Sequence, residues 1–207
     1  PFEIVARKFA VLVVAWALFL LVPMSAALLW LRAGGHLVGA ELGGLILGHL
    51  IYGTVVIALS LLAGSLGRSA STASLLVLAA TLGSWVIDFE GAAGEGWVSR
   101  FSALSLTQAL RPLERGLLAP GQVTAWTAFV LLALGFAALW VDPGRPLLSK
   151  ALPSVSGAVA ALLIVLAFPR LPASWDLTED RRHSFPRSVE NALVRIPGRL
   201  DIEIRLS

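Results

Sequence analysis

Residues 9–31 read FAVLVVAWALFLLVPMSAALLWL. No charged side chain interrupts the run. An α-helix rises about 1.5 Å per residue, so roughly 20 apolar residues cross the ~30 Å hydrocarbon layer of a bilayer. The run is long enough to do so, with Pro23 inside it. It lacks the apolar–polar alternation of a membrane-barrel strand. In lipid its backbone groups must be satisfied within the segment, which demands a helix.

Four further runs read the same way: about 40–66, 70–87, 123–141, and a shorter one from Val155 to Phe168, extended to Leu171. Arg32-Ala33-Gly34-Gly35-His36 separates the first pair, Gly67-Arg68-Ser69 turns the second, and Asp142-Pro143-Gly144-Arg145-Pro146 ends the fourth run. Trp30, Trp85, Trp140 and Trp175 fall near run ends, where amphipathic rings favour the headgroup layer. The expected fold is an all-α polytopic membrane protein with about five transmembrane helices. Composition agrees. Of 207 residues, 57% are hydrophobic and 14% charged, against about 25% charged in soluble domains. Mean hydropathy is +0.83. This excludes disordered chains, disulfide scaffolds and ordinary soluble globules, and the absence of Cys excludes thiolate chemistry.

The charges are unevenly placed. Residues 170–207 hold seven Arg and six Asp/Glu, 13 of the 29 charged side chains. The net charge of +3 lies otherwise in short loops, which reads as topology-setting charge rather than a nucleic-acid surface. Arg7, Lys8, Arg68, Arg145 and Lys150 gather on one side of the membrane; Arg32, Arg100, Arg111 and Arg115 spread over longer loop on the other. The bias predicts a cytoplasmic N-terminus, and five spans then predict an extracytoplasmic C-terminus.

Two stretches lie outside the spans. In residues 88–120, Leu106, Leu110, Leu113 and Leu117 recur at helical spacing with Gln108, Arg111, Glu114 and Arg115 between them. That predicts a short amphipathic helix, lying on the outer interface or capping the bundle. Beyond Trp175 a polar link precedes a helix around Pro186, and Leu200-Asp201-Ile202-Glu203-Ile204-Arg205-Leu206 alternates with period two as a half-buried strand. One strand needs partners. Together with Pro1 in place of Met, this predicts a piece of a longer chain whose soluble α/β domain has just begun.

Glu41 and His49 are the clear ionisable residues inside spans, eight apart and on roughly one helix face. They line a transport path, or Glu41 reaches the interface and a neutral His49 bonds a neighbouring helix. No second His or carboxylate stands at metal-ligand spacing beside His49. Ala40, Gly44 and Gly48 form a small-xxx-small stripe that admits a second helix backbone, within the bundle or across a subunit interface. Gly64-Ser65-Leu66-Gly67-Arg68-Ser69 is no phosphate loop: the motif needs Gly-Lys, and neither Lys8 nor Lys150 follows Gly. Ser65 and His49 lie four turns apart on one helix and cannot form a hydrolytic pair. The chain is expected to be no enzyme, with no cofactor of its own.

Pro1-Phe2-Glu3-Ile4-Val5, followed by Lys8-Phe9-Ala10, resembles the lead into the third span of permeases of the type-2 ABC exporter class, in its gliding-motility-associated branch. Trp175-Asp176-Leu177-Thr178-Glu179-Asp180-Arg181-Arg182-His183-Ser184 is similar to the start of the auxiliary extracytoplasmic subunit of those transporters, with His183 where an aromatic is usual. The resemblance implies that residues 1–152 are the C-terminal part of a permease, 153–174 the anchor span of the auxiliary unit, and 175–207 the start of its outer domain. It also implies a bacterial inner-membrane location and, as partners besides the lipid bilayer, an ABC ATPase subunit that binds ATP and Mg, and a second permease copy or homologous half. Phe2, Glu3, Arg7 and Lys8 would meet the ATPase; equally, they anchor the helix at the interface as positive-inside charge. The competing class is a membrane anchor or scaffold that presents an outer domain and transports nothing.

Overall fold

The computed structural model describes residues 1–67, 69–92, 105–167 and 174–184, with Val189, Asn191 and Arg195. The chain is mostly helical: α1 (Phe2–Phe19), α2 (Leu21–Arg32), α3 (Gly39–Leu66), α4 (Ala70–Ala92), a 3₁₀ turn (Leu106–Ala109), α5 (Arg111–Glu114), β1 (Leu117–Leu118), α6 (Pro120–Val141), α7 (Leu147–Ala167) and β2 (Trp175–Asp176). Among the described residues, five helices are long and apolar enough to cross a membrane, α1 and α2 counting as one rod of 31 residues.

Local chemistry sets the boundaries. Pro23 has no N–H to offer the carbonyl of Phe19, and the rod breaks at Leu20, one turn before the proline. Ser69 caps α4: its Oγ accepts the Thr72 N–H at 3.2 Å. Pro120 opens α6 at the first helical position, where a missing N–H costs nothing, so the helix starts three residues before the apolar run at 123. α7 begins at Leu147, not at 153, and carries Pro153 in its interior. Membrane helices tolerate such a proline where neighbouring groups re-satisfy the backbone.

The core lies between α3 and α6. Val55 and Ala58 face Val130, Ala133, Leu134 and Ala137, with Val5 of α1 completing the cluster. The alanines at helical spacing let the two backbones approach, and the gain in lipid is dispersion rather than exclusion of water. α1 is tied on by one specific contact. The Trp16 indole N–H donates to the His49 carbonyl at 2.9 Å. Gly53 makes room for that ring, since a Cβ there would overlap the indole. The large apolar side chains of α2 and α4 remain exposed, as membrane-facing helices require.

The amphipathic helix expected over 105–118 does not form. In its place stand the 3₁₀ turn, the single turn α5 and the two-residue β1. Pro112 takes an early position in α5, and Gly116 leaves the helical region at φ +74°. Leu106 and Leu113 are buried instead of lying on an interface. The segment caps the bundle. Of the helix expected near Pro186 only Val189 and Asn191 are described, both in helical conformation, and the strand 200–206 lies outside the described residues.

A tail docked on the capped end of the bundle

α3, at 28 residues, is about 42 Å long, more than the ~30 Å of a hydrocarbon layer. Its N-terminal end is where the capping segment and the chain after residue 174 converge.

The capping segment is fixed first. Ser84 of α4 accepts the Leu106 N–H at 2.6 Å, and the Ser105 and Thr107 hydroxyls bond at 2.7 Å. Ser105 is fully buried. Arg111 donates to Asp88 at 2.7 Å, and the carboxylate side chain is only 11% exposed. A charge-assisted bond in so enclosed a place is stronger than a surface ion pair.

The tail then joins it. β2 pairs antiparallel with β1, Leu117 opposite Asp176 and Leu118 opposite Trp175. The Leu177 N–H donates to the Gly116 carbonyl at 2.7 Å. Asp176 organises the following turn. Its Oδ1 accepts the Thr178 N–H at 3.0 Å and the Thr178 hydroxyl at 2.6 Å, and its Oδ2 accepts the His183 N–H at 2.8 Å. Thr178 Oγ1 accepts the Arg182 N–H at 2.9 Å. Arg181 takes φ +48° to close the loop. These donors, the Thr178 hydroxyl foremost, hold the Asp176 carboxyl at a pKa of about 2, below its ordinary 3.8.

The docked face belongs to α3. Glu41 Oε1 accepts the Glu179 N–H at 3.3 Å and an Arg182 N–H at 3.4 Å. His36 Nε2 lies 2.9 Å from Glu179 Oε2. Gly44 and Gly48 are buried beneath leucines: a Cβ at Gly44 would lie 3.3 Å from Leu177, and one at Gly48 3.2 Å from Leu110 and Leu113. Within the described residues, two members of the Ala40, Gly44, Gly48 stripe are covered in this way. Leucine side chains of the cap and tail lie over them, and Ala40 itself is exposed. Gly116 is shaped by the same junction. Its positive φ suits glycine, and a Cβ would sit 2.7 Å from the Thr178 methyl.

The carbonyl of His49 takes the Trp16 bond from α1, while its ring turns to its own helix. Its Nδ1–H donates to the Leu45 carbonyl, one turn back in α3, at 2.9 Å. The ring also borders a cavity of about 200 Å³ between α2 and α3, beside Leu20 and Met24. Glu41 and His49 therefore share a helix without sharing a partner. Phe2, Glu3, Arg7 and Lys8 lie together on the first turns of α1, all exposed, with Glu3 and Arg7 paired. His36, Asp176 and Thr178 take part in the junction, although the sequence marks them only as members of a loop and of the 175–184 stretch. Asp-x-Thr is an Asx-turn pattern, so the last two carried a readable signal. No group of three His, Asp or Glu side chains among the described residues is placed to hold a metal ion.

Comparison of the chain with protein-family models, curated proteins and solved structures yields no match.

Proposed function

We propose that the chain is part of the permease of an ATP-driven exporter in a bacterial inner membrane, coupled to a separate ATPase and joined to an extracytoplasmic unit. The observation that carries the reading is the docked tail. The segment that resembles the start of an auxiliary subunit is held on α3 and on the cap by a β-pair, the half-buried Leu177 over Gly44 and the Glu41 bonds. An outer domain attached so would move with α3, toward whose far half the first turns of α1 lie, Val5 clustering with Val55 and Ala58. The transport path would then form against a second copy or homologous half, and Phe2, Glu3, Arg7 and Lys8 would offer the ATPase an exposed surface.

The anchor reading also has an observation in its favour. Among the described residues, those clustered at the centre of α1, α3 and α6 are hydrophobic, and the buried polar side chains Ser84, Asp88, Ser105, Lys150 and Thr178 stand outside that cluster. The test is purification of the protein from native membranes. Transport predicts that a nucleotide-binding partner comes with it in fixed ratio and that Arg7→Glu with Lys8→Glu releases that partner. Recovery without any ATPase, from cells that encode none beside it, overturns the transport reading and leaves the anchor.

A further inference from the structure

Lys150 sits one turn into α7, yet only 7% of it is exposed. Its ammonium lies 5.8 Å from the centroid of the Trp140 ring, and among the described residues no carboxylate pairs with it. The carboxylate of the adjoining loop, Asp142, is held by Arg145 at 3.1 Å and by the Gly144 N–H at 3.1 Å. Trp140 is itself fixed: its indole N–H donates to Ser154 Oγ at 2.9 Å, and that hydroxyl donates to the Lys150 carbonyl at 2.7 Å. A cation so enclosed and lacking a counter-ion is unusual, because burial penalises the charge unless an anion answers it.

Trp140 and Ser154 also form one end of a cavity of about 530 Å³ between α3, α6 and α7. It runs along α6 as far as Trp126, about 21 Å at the helical rise, and Leu62, Phe129 and Ala158 are typical of its walls. Its size is that of a ligand site, roughly 300–1,000 Å³. The lining is apolar, the indole N–H groups and Ser154 aside, and Lys150 adjoins it through the Trp140 ring that walls one end. Gly157 admits the Phe136 ring that walls it, since a Cβ there would overlap the ring.

We infer that this is a binding site for an anionic phospholipid, with the phosphate on Lys150 beside Trp140 and one acyl chain in the cavity. A free phosphate has no use for the apolar channel, and a neutral apolar molecule has none for the lysine. The cation, the aromatic platform and a channel of chain length lie in the order in which a lipid presents its own parts. The inference goes beyond the transport reading, since a lipid could be held here by an exporter or an anchor alike.

The test is native mass spectrometry of the detergent-purified protein with dioleoyl phosphatidylglycerol and, chain-matched, dioleoyl phosphatidylcholine. The wild type should retain the anionic lipid about tenfold more tightly, the scale of a charge-assisted hydrogen bond. Lys150→Gln should abolish that preference, and Lys150→Arg should keep it. Ala158→Phe, which fills the channel, should weaken both lipids. Equal retention of the two lipids by the wild type overturns the inference. So does an undiminished preference in Lys150→Gln, or undiminished binding in Ala158→Phe. Should Lys150→Gln fail to fold, the wild-type preference and Ala158→Phe still decide.

Discussion

At one end of the bundle the cap between α4 and α6 and the segment 174–184 close over α3 with a β-pair, buried leucines and a chain of hydrogen bonds. At the other, α3 ends at Leu66 and α4 begins at Ala70, residues 142–146 turn within a few positions, and Phe2, Glu3, Arg7 and Lys8 are exposed. The difference lies in what each end asks of the sequence. A short turn needs glycine, proline and a capping serine, all local signals. A docked cap needs distant residues to match: Glu41 meets Glu179 and Arg182, and Gly44 meets Leu177. The capped end is thus ordered by long-range contacts and the open end by backbone chemistry. Perturbations should be costly at the first and cheap at the second.

The largest effect is expected at Gly48, where even a Cβ would lie 3.2 Å from Leu110 and Leu113 and a longer side chain must displace them. Gly48→Leu should destabilise by about 1–3 kcal/mol, the usual range for overpacking, read as a fall in the thermal unfolding midpoint in detergent. A wild-type midpoint would mean that the cap does not press on the stripe.

The next effect is a pH response confined to the capped end. The Asp176 pKa is lowered in the docked turn, so its contribution is complete above the ordinary 3.8 and is lost as pH falls toward about 2. Amide protection of residues 177–183 should decline over that window while that of α3 and α6 persists. Asp176→Asn should remove the protection near neutral pH, because the amide nitrogen cannot accept the His183 N–H. The smallest effect belongs to the open end. Glu3 and Arg7 form an exposed i,i+4 pair, and Glu3→Gln should change stability by no more than about 0.5 kcal/mol.

The same contrast decides what could be read beforehand. The spans were legible because a bilayer imposes length and apolarity on contiguous residues, and 40–66 and 70–87 nearly coincide with α3 and the apolar part of α4. The start of α7 was missed because Lys150 and Pro153 interrupt the apolar pattern, although the helix accommodates both. The leucine spacing over 106–117 is helical, but Pro112 and the positive φ of Gly116 break it into turns, and burial of Leu106 and Leu113 replaces an amphipathic face. Glu41 was conspicuous as an ionisable residue, yet its partners stand some 140 positions away and no spacing points to them. The glycine stripe announced close packing without saying against what. Lys150 read as one more loop charge, since its burial against Trp140 depends on how α6 and α7 pack.

The central claim is that the tail docks on the bundle in one register, and the absence of native cysteine makes it directly testable. Leu118 and Trp175 face each other across β1 and β2. The double variant Leu118→Cys with Trp175→Cys should form an intramolecular disulfide in native membranes under mild oxidation. Ile4→Cys with Trp175→Cys, which joins the first turn of α1 to the tail, should not. Absence of the first cross-link, or equal cross-linking of both pairs, would contradict the account.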